Sequence, residues 1–115
     1  MPSDLPFMKL WVGDLFGDPI VRAMDESEFG LYVLALCFAW QEGEIPADEV
    51  QRAKSLGVTR QRLRKLWPAI ESKWESNGNG GLVNPRQERE RGEALESHQR
   101  RVDAGRKGGK AKRSA

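Results

Sequence analysis

The sequence predicts a mainly α, winged-helix-like helix-turn-helix domain with a small β-hairpin and a basic C-terminal helix and tail. Three observations predict it. The capping-box pattern Asp25-Glu26-Ser27-Glu28 opens the most apolar stretch of the chain. Two shorter segments with apolar residues at helical spacing follow, separated by Gly57. Asn77-Gly78-Asn79-Gly80 then sits between two short segments, and Asn and Gly tolerate the positive φ of a hairpin loop. The expected layout is a winged-helix-like domain over residues 1–85, a charged helix over 86–104 and a disordered basic tail over 105–115.

Each element has its own signal. Met1–Pro6 carries two prolines and reads as a loose lead. Met8–Val12 is short and apolar until Gly13-Asp14 breaks it, which suits an edge strand or an extended segment against the core. Pro19 opens a short helix over Ile20–Met24. Phe29–Trp40 is apolar almost all the way round, as a central buried helix would be, and Gly43 stops it. Cys37 within it reads as a small core residue.

Ala47–Leu56 places Val50, Ala53 and Leu56 on one stripe, and Gly57 ends it. Thr59 caps a second helix whose apolar face is Leu63, Leu66, Trp67 and Ile70, with Pro68 ending its regular part. Helix, glycine-containing turn and helix make the helix-turn-helix layout. Lys73–Ser76 and Gly81–Asn84 are the hairpin strands. From Pro85 the chain is charged, with Arg86–Glu90, Arg89–Glu93 and Glu96–Arg100 spaced i,i+4, and Leu95 and Val102 are its only sizeable apolar residues. A solvated helix to about Ala104 follows from this. The glycines and cations after it read as a disordered tail.

Composition excludes several chemistries. One cysteine allows no intrachain disulfide framework and no thiolate zinc site. One histidine, His98, leaves neither a His-rich metal site nor a Ser-His-Asp system. No 18-residue apolar run and no signal-peptide pattern occur, so the chain reads as soluble and cytoplasmic, with no membrane partner. Asp14, Asp18, Asp25, Glu26 and Glu28 lack the spacing of a metal-dependent nuclease, and no enzyme is expected. Ala104–Ala111 misses a phosphate-binding loop at both its first Gly and its Ser/Thr, so no nucleotide cofactor is expected. Trp11, Trp40, Trp67 and Trp74 stand at apolar-patterned positions and read as core.

Charge is divided along the chain. Residues 1–58 hold 4 Lys/Arg against 10 Asp/Glu, whereas residues 59–115 hold 15 against 7. Such a split suits a basic, polyanion-facing half mounted on an acidic one. Arg60, Arg62, Arg64 and Lys65 put four cations in six residues of the second helix of the pair, with Arg60 and Arg64 on one outward face. A recognition helix needs this division, because its cations reach phosphates and base edges while its back is anchored. Lys73 and Arg86 at the base of the hairpin are expected to contact DNA as well, although the hairpin tip has no cation. Arg100, Arg101, Arg106, Lys107, Lys110, Lys112 and Arg113 oppose only Asp103, and such an arm adds counterion-release affinity without sequence choice.

The chain also resembles a known family. Leu10-Trp11-Val12-Gly13-Asp14, Met24-Asp25-Glu26-Ser27-Glu28-Phe29-Gly30-Leu31-Tyr32, and Trp40 followed by Gly43-Glu44-Ile45-Pro46-Ala47-Asp48 are similar to segments of the YdaU-type phage and prophage family. Gly81-Leu82-Val83-Asn84-Pro85-Arg86 and Ala104-Gly105-Arg106-Lys107-Gly108-Gly109-Lys110-Ala111 resemble its later elements, in the same order. The arginine-dense Arg60–Lys65 departs from its pattern. The family is of formally unknown function, and its members often form the N-terminal part of replisome-organiser-like proteins. The resemblance therefore implies a role in phage replication initiation, and it supplies no catalytic residues. Two functions are expected from the whole: a DNA-binding accessory protein, or alternatively a protein-interaction module. The second would dock an acidic replication or host partner through the basic half.

Overall fold

A computed structural model describes residues 5–114, with side chains to Arg106. It is mainly helical, with a small three-stranded antiparallel sheet. Most of the expected lead Met1–Pro6 lies outside the described residues. Two short helices open the structure, α1 (Val12–Gly17) and α2 (Pro19–Arg22). Asp18 joins them, its side chain accepting from Ile20 N at 2.9 Å. Val12, Gly13 and Asp14 lie inside α1, so of the two expectations for Met8–Val12 the edge strand is absent, and the segment before Val12 is irregular with Met8 packed against the core. The segment finds no neighbouring strand to pair with, and Leu10, Trp11 and Val12 are exposed.

The next helix, α3 (Glu26–Glu42), starts at a full capping box. Asp25 accepts from Glu28 N, and Glu28 accepts from Asp25 N, each at 2.8 Å. It stops where Gly43 adopts φ 95°. Leu31, Tyr32, Ala35, Leu36, Ala39 and Trp40 are buried along it. Phe29, Leu34 and Cys37 are exposed, so α3 is covered on one side rather than all round, and Cys37 is not a core residue. Whether a helix face is covered depends on which other elements arrive there, and none covers this side of α3 among the described residues.

After β1 (Ile45–Pro46), Asp48 caps α4 (Glu49–Leu56) by accepting from Gln51 N at 3.0 Å. Ala53 and Leu56 of the expected stripe are buried, whereas Val50 is exposed. Gly57 ends α4 at φ 71°, and Thr59 caps α5 (Arg60–Leu66), accepting from Arg62 N at 3.1 Å. A 3-10 turn over Trp67–Ala69 then takes Pro68, which cannot continue the ladder. Leu63, Leu66, Trp67 and Ile70 all enter the core with α3, Ala53, Leu56 and Ile45.

The hairpin forms from β2 (Glu75–Ser76) and β3 (Gly81–Val83), registered Glu75 to Val83 and Ser76 to Leu82. Asn77 Oδ1 closes its loop by accepting from Asn79 N and Gly81 N, at 2.8 and 3.1 Å. The third strand is β1, which pairs with β3 through Ile45–Leu82 and Pro46–Gly81, giving the order β1-β3-β2.

The last helix, α6, runs from Pro85 to Ser114. Asn84 accepts from Gln87 N at 3.0 Å, and Pro85 takes the first turn, where no donor is needed. Gln87 donates to Leu36 O at 2.7 Å and Arg91 to Trp40 O at 2.8 Å, fastening the start of α6 to α3. The expected stop near Ala104 and the disordered tail beyond it are not found, because the backbone stays helical to Ser114. Gly105, Gly108 and Gly109 each cost about 1 kcal/mol against Ala in a helix. The surrounding Ala, Lys and Arg are good helix formers, and cations suit the C-terminal end of the helix dipole.

Candidate nucleic-acid interface

The basic face is built on α5. Seven residues make too short a helix to persist alone, so packing decides which way it turns. Leu63 is fully buried and Leu66 nearly so, which sends Arg60, Gln61, Arg62, Arg64 and Lys65 to solvent. The helical spacing of the sequence locates this face correctly.

Its cations are nevertheless not equivalent. Glu49, the first residue of α4, sits 3.5 Å from Arg60 Nε and pairs with Arg64 Nε through the same oxygen. The Arg64 hydrogen bond, helped by Arg60, holds the Glu49 carboxyl below the usual range. Arg62 instead reaches the start of α3, donating from Nη2 to Ser27 Oγ at 3.2 Å. Lys65 makes no ion pair among the described residues.

Lys73 and Arg86, expected at the base of the hairpin as DNA contacts, are tied to the acidic half. Lys73 pairs with Asp18, and both side chains are largely covered. The Lys73 hydrogen bond is the main reason the Asp18 carboxyl titrates below its ordinary value. Arg86 pairs with Asp14 and, at 3.2 Å, with Glu90 one turn on. The bond to Asp14 raises the Arg86 guanidinium further. These two pairs line a cleft of ≈ 320 Å³ whose floor includes Tyr32 and Asn84. Burial pushes the Tyr32 hydroxyl up, and Asn84 donates to it at 3.5 Å.

Along α6, Arg100 pairs with Glu96 at 2.5 Å, and Arg106 is exposed. Arg101 borders a groove of ≈ 830 Å³ between α6 and the N-terminal segment, which His98, Val102, Leu5 and Trp40 also line. Lys107, Lys110, Lys112 and Arg113 belong to the helical backbone, and their side chains lie outside the described residues.

Two residues matter here that sequence reasoning missed. Glu49 carries no motif, and only the packing of α4 beside α5 brings it to the arginines. Arg52 is a structural cation: it is buried, donates to Ala47 O at 2.7 Å and Pro46 O at 3.3 Å, and lies 4.3 Å from the Trp67 ring centroid. Burial lowers its pKa from the usual arginine value. Its hydrophobic context between Val50 and Ala53 is the one available signal.

Trp40, Trp67 and Trp74 are core residues, whereas Trp11 is half exposed. No group of three His, Cys, Asp or Glu side chains among the described residues is placed to hold a metal ion. No helix there is long and apolar enough to cross a membrane. Comparison with family models, curated proteins and solved structures finds no match to this chain.

Proposed function

We propose that this chain is a non-catalytic DNA-binding accessory protein of phage or prophage origin, acting in replication initiation. One observation carries the DNA-binding part: α5 buries Leu63 and Leu66 while Arg60, Arg64 and Lys65 project from its outer side. The order of helix, strand, two helices and hairpin supports a winged-helix reading, in which α5 is the recognition helix. The basic end of α6 supplies further phosphate contacts. The place in phage replication rests on the resemblance to the YdaU-type family.

A gel shift on random-sequence duplex and single-stranded DNA tests the proposal. Affinity should fall steeply with salt, by about 0.9 log units of K per log unit of salt for each phosphate neutralised. Replacing Arg60, Arg62 and Arg64 together with Ala should abolish most of the binding while the chain stays folded. Removing residues 105–115 should weaken binding uniformly and shallow the salt slope. Binding that is absent at ~50 mM salt, or indifferent to salt, refutes the reading. A triple variant that binds like its parent refutes the recognition-helix assignment.

A second reading, a protein-interaction module, is favoured by a separate observation. Phe7, Leu10, Trp11, Val12, Phe16, Ile20 and Phe29 are all exposed, and Leu10, Val12, Phe16 and Phe29 line one shallow groove. Clustered exposed apolar side chains mark contact surfaces. A partner that copurifies after nuclease treatment, and is lost when Phe7 and Phe16 become Ser, supports this reading.

A further inference from the structure

An acid at the first position of a helix suits the positive end of its dipole, and that alone would account for Glu49 at the start of α4. It does not account for two arginines converging on one of its oxygens from a different helix. Both arginines are engaged through Nε. Arginine carries five N–H donors in a planar fork, and among the described residues the Nη groups of Arg60 and Arg64 have no hydrogen-bond acceptor. The two arginine side chains are 53% and 60% exposed and Glu49 is 30% exposed, so the carboxylate lies behind and the guanidinium groups lie outside.

The geometry points to Glu49 as an electrostatic gate on the phosphate-binding face of α5. It holds Arg64 by a hydrogen bond at Nε and pairs with Arg60 Nε at 3.5 Å, and both guanidinium side chains stay more than half exposed. Its own negative charge opposes any anion that engages only one of them. The inference rests on the DNA-binding reading and adds its selectivity. An isolated phosphate brings no neighbouring charge to add to the contact and meets the repulsion of Glu49 in full. A phosphodiester chain offers successive phosphates to both arginines together, and the doubled gain outweighs one nearby negative charge. The arginines keep the Glu49 carboxyl below the usual range, so the gate stays charged at neutral pH.

Fluorescence anisotropy with a labelled random-sequence duplex tests the gate. Glu49→Gln removes the charge but keeps an oxygen acceptor for both Nε groups. It should tighten binding by ~3–10-fold at ~100 mM salt and steepen the salt slope by about one phosphate equivalent. Inorganic phosphate should also become a better competitor against the variant than against the parent. Glu49→Asp retains the charge and should bind like the parent. Glu49→Ala, a second neutral variant, should shift affinity in the same direction as Glu49→Gln. In an Arg60→Ala/Arg64→Ala background the gain from Glu49→Gln should vanish.

A parent that binds DNA while both neutral variants bind no tighter overturns the gate and leaves the DNA-binding reading standing. A gain that persists without the two arginines also overturns it, because the effect then belongs to net charge alone. A parent that does not bind at ~50 mM salt overturns both.

Discussion

Leu63→Ala tests the facing of α5, on which the whole interface depends. Leu63 is fully buried at the centre of a seven-residue helix, among the core side chains of α3, α4 and the turn that follows. Truncation removes the transfer free energy of three buried carbons and leaves a cavity that neighbours on three sides cannot fully close. Buried Leu→Ala changes cost about 2.7–5 kcal/mol, rising with the cavity that remains. A value of about 3 kcal/mol suits a short helix that has some freedom to settle inward. At ~4–8 °C per kcal/mol for a domain near this size, Tm should fall by roughly 12–24 °C. The matched control is Lys65→Ala on the outward side, where a surface change stays within about 0.5 kcal/mol. Urea denaturation followed by far-ultraviolet circular dichroism measures both. The midpoint should shift for Leu63→Ala with an unchanged m value. A loss below about 1 kcal/mol would mean that Leu63 is not the anchor and that the arginines do not face outward as described.

Two further perturbations probe what fastens the interface to the rest of the molecule. Arg52→Ala should destabilise by about 2–3 kcal/mol, because it strips two backbone carbonyls of a charged donor and uncovers the Trp67 ring. Arg52→Lys should restore less than half of that, since an ammonium cannot reproduce the planar fork; equilibrium denaturation followed by tryptophan fluorescence reads both. For Asp18, the unfolded carboxyl titrates near 3.9, and Lys73 holds the folded group lower. The unfolded chain therefore binds more protons between the two values. This contribution is fully present above the unfolded pKa and disappears as pH falls through the folded one. Asp18→Asn should flatten the acid limb of a stability–pH profile below about pH 4, and an unchanged limb would show that the Lys73 pair contributes nothing.

The ion pairs recast the charge split of the sequence. Its −6 and +8 halves read as a basic surface carried on an acidic one. In the structure, three acids of the first half meet cations of the second: Asp14 with Arg86, Asp18 with Lys73, and Glu49 with Arg60 and Arg64. Part of the asymmetry is thus consumed in holding the chain together. Lys73 is turned to that use most completely, being covered by its partner and its surroundings. Among the described side chains, Arg60, Arg64, Lys73 and Arg86 are cross-paired in this way, whereas Arg62, Lys65, Arg89, Arg91, Arg100, Arg101 and Arg106 pair with no acid of the first half.

Sequence alone determined the features that depend on neighbours along the chain. The Asp25–Glu28 capping box, the Thr59 cap, the Gly43 and Gly57 stops and the Asn77–Gly80 hairpin are all local hydrogen-bonding or backbone preferences, and each stands where its residues place it. The apolar face of α5 was legible for the same reason, since 100° per residue fixes which side chains share a side. Tertiary structure decided the rest. Ile45–Pro46 is too short to signal a strand and becomes one only because β3 offers it an edge. Leu34, Cys37 and Val50 look like core residues by composition, but whether a face is covered depends on which other element arrives there. The helical course of residues 105–114 continues from a segment already docked on α3, and helix propagation is far easier than nucleation. Which arginines are held by Glu49 is likewise decided in space, because α4 and α5 fold back on each other and join residues 15 positions apart in the chain.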